Sequence, residues 1–281
     1  IAYHPALNNA RDGFLDGLKE LGIPYEADLQ NAQGEAANLK SISQNFVSKK
    51  MDLVLAVATN SATSVAAETD SIPILGTAIT DYVDAGLVNS NEAPGRNVSG
   101  TSDMNPIGDQ IDLILKLVPE AKAIGVIYAS SEPNSAVQVA IAKEEAAARG
   151  LILEEMTVNT VNDIPQVATS LVGKVDAIFV PTDNVIASAI PNLISVTEPA
   201  GVVVVGGEAG QVEQGATATI GIDYYKLGRQ TADMAKQILI DGLDVGTLAV
   251  ETAKEYEFVY NEANVNALGI TLPEDLKASA T

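Results

Sequence analysis

The stretch Asp52-Leu53-Val54-Leu55-Ala56-Val57-Ala58-Thr59-Asn60-Ser61-Ala62-Thr63-Ser64 decides the fold. Leu53–Val57 is an apolar run without polar alternation, which is how a strand buried on both faces of a parallel sheet reads. Thr59, Asn60, Ser61 and Thr63 then open a helix, since hydroxyl and amide side chains favour helix starts. The same order returns in Asp176-Ala177-Ile178-Phe179, leading through Asp183 to Asn184 and Ser188, with Asp52, Asn60 and Ser64 each matched 124 positions on. A helix end running into a strand also recurs, Gly22-Ile23-Pro24-Tyr25 against Gly150-Leu151-Ile152-Leu153, 128 positions apart. A period this long means two similar domains, not a solenoid of small units.

Working outward, further strand-like runs lie at Ile72–Leu75, Ala123–Tyr128, Leu151–Leu153, Ala177–Val180, Val202–Val205 and Thr217–Ile222. Amphipathic stretches separate them. Ala10, Phe14, Leu18 and Leu21 share a helix face that Gly22 closes; Leu39, Ile42, Ser43 and Phe46 mark a second helix. Ile107, Ile111, Ile114 and Val118 end at Pro119; Ala136, Val139 and Ala140 lead to Gly150; Ile164, Val167, Ala168 and Leu171 mark one more. The alternation predicts an α/β protein of two doubly wound parallel-sheet lobes. Lobe one is expected at 1–104 plus 224–262, lobe two at 105–223 plus 263–281. The helix Tyr224–Leu239 and a late strand, Tyr256–Tyr260, add to existing sheets, so the chain crosses between lobes more than once. Repeated crossings predict a hinge and a cleft. Only Ile1, Ala2 and Tyr3 precede the turn His4-Pro5, so a first strand reads as cut short.

Composition excludes several functions. There are 37 acidic and 16 basic residues, a net charge of −21, which repels nucleic acid and anionic membrane. Cysteine is absent and histidine occurs once, which removes disulfides, thiolate chemistry and multi-histidine metal sites. Hydrophobic residues make up 47 %, enough for a proper core. No apolar run reaches the roughly 18–20 residues of a membrane span. The chain opens at Ile1 without a visible signal peptide, as expected of a processed or trimmed product.

In open parallel sheets, ligands bind beyond the carboxyl ends of strands, beside helix N-termini that carry unpaired N–H groups. The candidates are therefore the residues following strands. Thr59, Asn60, Ser61 and Thr63 suit a carboxylate. Ser131, Glu132, Asn134 and Ser135 follow Ala123–Tyr128, with Pro133 in a first helical turn. Thr182, Asp183 and Asn184 follow Ala177–Val180, and Asp183 is a candidate counter-charge for an ammonium. Glu208 follows the glycines Gly206-Gly207, which permit close backbone approach. Thr80 and Tyr82 follow Ile72–Leu75; Tyr82, with Tyr3 and His4, offers flat apolar area to a ligand side chain. Asp223 closes the last run. Each of these residues also has an ordinary use as a cap, turn or packing group. The sequon Asn97-Val98-Ser99 reads as a chance match. There is no P-loop, GxGxxG, GxSxG, HExxH or EF-hand loop, and nothing pairs a nucleophile with a base. We expect no cofactor and no metal.

Several motifs resemble one family: His4-Pro5-Ala6-Leu7 with Gly13-Phe14 and Gly17-Leu18; Thr59-Asn60-Ser61-Ala62-Thr63; Ala78-Ile79-Thr80-Asp81 with Gly86-Leu87-Val88; Ser131-Glu132-Pro133-Asn134-Ser135; Pro181-Thr182-Asp183-Asn184; and Gly221-Ile222-Asp223-Tyr224-Tyr225 with Leu227-Gly228. In this order and spacing the chain resembles the ABC-transporter substrate-binding proteins of the tryptophan/tyrosine type, which have the type I periplasmic-binding fold. The resemblance spans nearly the whole chain.

It implies an extracytoplasmic receptor, periplasmic or lipid-anchored at the outer face of the cytoplasmic membrane, expected to be a monomer. Such a receptor closes on a small zwitterionic ligand, often an aromatic amino acid, and presents it to a membrane permease. By the same likeness, Thr59–Thr63 would hold the α-carboxylate. Ser131, Asn134, Thr182, Asp183 and Glu208 would hold the rest, with Asp183 on the α-ammonium. The alternatives are a same-fold receptor for a sugar, nucleoside or other small metabolite, the sensor half of a transcription regulator, and an α/β enzyme. The absence of Trp, of a basic helix-turn-helix and of catalytic signatures counts against these in turn.

Overall fold

The computed structural model describes residues 5–279. The apolar run after Asp52 is strand β1 (Val54–Val57), preceded by α1 (Pro5–Glu20) and α2 (Ala36–Lys49). The polar run after it opens α3 (Thr59–Ala66), which returns the chain to β2 (Ile74–Ile79) and then β3 (Val98–Ser102). Much later, α10 (Tyr224–Leu239) and the short β9 (Glu251–Thr252) complete this first unit, which runs up to Met104 and again over Tyr224–Lys254. Its strands are ordered β1-β2-β3-β9, all parallel.

Consecutive residues of β2 serve opposite faces of that sheet. Ile74 packs with Phe46, Val54, Ala62 and Val65, while Leu75 packs with Phe14, Leu18, Ala232 and Ala235. With helices on both sides, every position of the strand is buried, and the apolar pattern is continuous for that reason. Helices α1 and α10 approach so closely that a Cβ on Gly13 or Gly228 would strike the backbone of Tyr225 or Ala10. Arg229 pairs with Glu20 across the same seam.

The second unit comprises Asn105–Asp223 and the chain from Glu255 on. Its elements are α4 (Ile107–Leu117), β4 (Ala123–Ala129), α5 (Pro133–Ala148), β5 (Ile152–Val158), α6 (Ile164–Val172), β6 (Ala177–Val180), α7 (Asn184–Ala187), α8 (Ile190–Thr197), β7 (Val203–Gly206), α9 (Ala209–Glu213) and β8 (Ala218–Gly221). Then β10 (Glu257–Tyr260), α11 (Glu262–Ala267) and α12 (Glu274–Ser279) follow. The strand order is β10-β8-β7-β6-β4-β5, parallel except for β10, which runs antiparallel to β8.

The anticipated α/β pattern holds, with two main differences. First, the chain rejoins the second unit at Glu255, not after 262 as expected, because β10 pairs with β8 from Glu257↔Gly221 to Tyr260↔Ala218. Second, β3 was not anticipated. Its sequence, Val98-Ser99-Gly100-Thr101-Ser102, lacks an apolar run although every residue is buried. Hydroxyl bonds replace apolar contact there: Ser99 Oγ donates to Leu248 O at 2.7 Å, and Thr101 Oγ1 lies 2.7 Å from Thr231 Oγ1. Asn97 of the sequon, read as a chance match, turns its amide inward, donating to Thr69 O and Ile72 O.

Gly22 and Gly150 end α1 and α5 in the left-handed conformation, with φ of 69° and 73°. The shortened first strand, Tyr3 and His4 lie outside the described residues. No helix among the described residues is long and apolar enough to cross a membrane.

Candidate functional site

Because each of these helices starts where a strand ends, the N-termini of α3, α5, α7 and α9 collect at the carboxyl-end rim of their own sheet. In the first unit, that rim begins with Ala58, whose backbone (φ 74°, ψ 155°) lies in a region L residues rarely adopt. Its N–H donates to Thr77 O at 3.0 Å, so the chain stays paired with β2 up to the start of α3. No side chain caps α3. Thr59 and Ser61 are buried at its first turn and Asn60 is exposed. Thr63 uses its hydroxyl within the helix, donating to Thr59 O and Asn60 O. No side chain therefore offsets the N-terminal polarity of α3, a polarity that favours anionic groups in general.

The next two strand ends meet at Asp103. Backbone irregularity at the end of β2, where Ala78 has φ 55° and the pairing register shifts, brings Thr80 beside the end of β3. Thr80 Oγ1 donates to Asp103 Oδ1 at 2.9 Å and Tyr224 Oη donates to Asp103 Oδ2 at 2.8 Å. Burial raises the Asp103 carboxyl above its ordinary range, and these two donors oppose the shift. Tyr82 does not present a face to a ligand. It is fully buried in the first unit's core, donates to Thr101 O at 3.1 Å, and fills space that only glycine at 76 and 100 leaves, since a Cβ at either would meet its hydroxyl at 2.5 Å.

In the second unit, Asp183 occupies the place of Thr59 in the repeat and is used differently. It is fully buried. Its Oδ1 accepts from Ile186 N at 2.8 Å, capping α7. Its Oδ2 accepts from Ala129 N at 2.8 Å and from Ser135 Oγ at 2.7 Å. The carboxylate expected to meet an ammonium is therefore a brace joining the ends of β4 and β6, and Ser135 belongs to that brace.

Asn134 and Thr182 are joined likewise. Asn134 Nδ2 donates to Thr182 O at 3.0 Å, while Gln138 donates to Thr182 Oγ1 at 2.6 Å and accepts from Thr182 N at 3.1 Å. The acceptor Oδ1 of Asn134 is buried without a partner.

Glu132 is a second buried carboxylate at this rim. It is 6 % exposed, and its Oε2 accepts from Asn184 Nδ2 at 2.6 Å. Burial, with the neighbouring Asp183 charge, pushes it up to about 7. Ser131 beside it is exposed. Glu208 is buried and caps α9, accepting from Gly210 N at 2.5 Å. Gly207 does permit close approach, but to its own unit: a Cβ there would meet Thr182 N at 2.6 Å. Asp223 is half-buried at the point where the chain leaves the second unit. Among the described residues no cluster of His, Cys, Asp or Glu could hold a metal ion.

The expected residues thus fall on two rims, one per unit, with Tyr82 outside both. Sequence reasoning missed Asp103, Asn105 and Gln110. All three would have come up for inspection had β3 been recognised, because they follow its end.

Two rims built from helix starts, hydroxyls and buried carboxylates suit a small-molecule receptor. The profile of the ABC transporter substrate binding protein family matches residues 1–281, and the chain belongs to that family of extracytoplasmic receptors, with the type I periplasmic-binding fold. It is 41 % identical over 272 residues to a tyrosine-binding protein of Clostridioides difficile, covering 95 % of this chain and 79 % of the relative. A conserved domain protein of Vibrio cholerae superposes with TM-score 0.95 at 39 % identity, covering 100 % and 96 % of the two chains. An ABC domain of Streptococcus pneumonia in complex with L-Trp superposes with TM-score 0.94 at 36 % identity, covering 99 % and 95 %.

Proposed function

We propose that the protein is the receptor of an ABC importer for an aromatic α-amino acid. On this reading it works as a monomer outside the cytoplasmic membrane, delivers its ligand to a membrane permease and catalyses no reaction. The observation that carries the proposal is the contrast within the repeat. The turn at Asp183 is closed by its own carboxylate, whereas the turn at Thr59 starts a helix with no side-chain cap. That uncapped start, with Thr59 and Ser61, suits an α-carboxylate. Glu132 suits the α-ammonium, because a cation beside it compensates the burial that holds its carboxyl near neutrality. The relatives that bind tyrosine and L-Trp support an aromatic side chain.

A ligand with both charges on one carbon matches the chemistry of both rims. Binding then biases the two units toward a closed arrangement through the three segments that connect them. Calorimetry with the twenty amino acids tests this. Tight binding of L-tyrosine or L-tryptophan is expected, with much weaker binding of tryptamine, which lacks the carboxylate. No heat and no thermal shift with any amino acid would overturn it, and a sugar or nucleoside recovered from the purified protein would replace it with the same-fold alternative.

A further inference from the structure

The start of α4 and the residues just before it hold unpaired polar atoms in one short stretch. Asn105 is 5 % exposed, yet neither its Nδ2 nor its Oδ1 has a hydrogen-bond partner. Gln110, fully buried, has an unpartnered Oε1. Its Nε2 donates to Ile220 O at 2.8 Å and more weakly to Gly207 O at 3.4 Å. Those carbonyls lie at the carboxyl ends of β8 and β7, so the start of α4 sits on the second unit's rim, beside Glu208. Pro106 precedes the helix and no side chain caps it. A buried amide with both ends unpaired is costly to keep unless something else satisfies it.

We propose that Asn105 reads the zwitterionic head of the ligand, its Nδ2 donating to the α-carboxylate and its Oδ1 accepting from the α-ammonium. The assignment rests on the amino-acid reading above and deepens it. A primary amide carries a donor and an acceptor side by side on one carbon. An α-amino acid presents the complementary pair, an acceptor and a donor on one carbon. Asn105 therefore selects for ligands with both charges and against those missing either. The helix N-terminus behind it favours the carboxylate side of the pair. Gln110 holds the neighbouring backbone, and its free oxygen adds a further acceptor beside the ammonium.

The test uses Asn105→Ala and Asn105→Asp, with L-tryptophan, tryptamine and indole-3-propionate as probes. Calorimetry gives affinities and thermal melting gives the stability of the ligand-free protein. In Asn105→Ala, the ligand-free protein melts no lower than wild type, because a buried unpaired group has been removed. Affinity for L-tryptophan falls more than tenfold, and its advantage over both single-charge probes shrinks. Asn105→Asp keeps the size and the acceptor but loses the donor, so the ratio of L-tryptophan to tryptamine affinity falls at least tenfold. An Asn105→Ala protein that melts lower and binds with unchanged affinity would show an ordered water only, and would overturn the assignment. If that variant fails to fold, an unchanged ratio in Asn105→Asp overturns it equally. No binding of L-tryptophan or L-tyrosine by wild type would remove the amino-acid reading itself and this assignment with it, an outcome distinct from a wild type that binds and variants that bind as well.

Discussion

The Tyr224 hydroxyl donates to the Asp103 carboxylate at 2.8 Å, so the residue at which the chain re-enters the first unit is bonded to one of the last residues before it leaves. The bond lies wholly within the first unit and fastens two of the three connecting segments at their root. Tyr224→Phe removes it while keeping the ring. Because the bond is buried, its loss leaves an acceptor unsatisfied, and we expect a cost of about 1–3 kcal/mol in urea denaturation. A change below about 0.5 kcal/mol would mean that Asp103 is satisfied without it.

Asp183 is expected to matter for stability before it matters for ligand. Asp183→Ala strands the N–H groups of Ile186 and Ala129 and the Ser135 hydroxyl in a buried setting. A loss of at least ~2 kcal/mol in chemical denaturation is expected. A variant as stable as wild type that fails to bind would instead restore Asp183 as a direct ligand group.

Ser61→Ala should show the reverse. Ser61 lies in the first turn of α3, where no side chain caps the helix. Stability should change by about 1 kcal/mol or less, since one buried hydroxyl oxygen is removed and the backbone of α3 is untouched. Affinity for L-tryptophan should fall by about 1.5–3 kcal/mol, the worth of a hydrogen bond to a charged group. Equal affinities by calorimetry would move the carboxylate elsewhere.

Glu132 gives a pH signature with a definite sign. Its folded-state pKa is raised to about 7, so between its unfolded value of roughly 4.3 and about 7 the folded protein binds more protons than the unfolded chain. Stability of the ligand-free protein therefore falls as pH rises through that window, by an amount on the order of 2–3 kcal/mol from this group. Glu132→Gln should flatten that slope. Ligand affinity should run the other way, rising toward pH 8, because an ammonium needs the ionised carboxylate. Melting and calorimetry from pH 5 to 8 on both proteins check the two trends together; parallel curves for wild type and variant would sink the assignment.

Much of the fold was legible because burial on both sheet faces leaves an unbroken apolar signature. Leu53–Val57 and Ala177–Val180 announced β1 and β6, and the glycines at 22 and 150 announced helix ends. Strand β3 was illegible for the converse reason: Ser99 and Thr101 are buried with their hydroxyls bonded, and polar letters hide the burial. Missing β3 also hid Asp103 and Asn105, since candidates were sought only after recognised strands. Individual roles were less legible than positions. The letters Asp183 and Tyr82 look the same whether a side chain faces a ligand or braces its own unit, and only the partners Ala129 N, Ser135 Oγ and Thr101 O distinguish the two.

The unequal fates of the duplicated turn bear on how such receptors change cargo. Replacements at 60, the exposed position of that turn, touch a helix start that no side chain of the protein closes, so selection can explore them at little cost to the folded state. Replacements at 183 unpick a brace, and most would be lost to unfolding before any new preference could be noticed. New diets in this lineage should therefore arise mainly from the half of the molecule whose copy of the turn was left open.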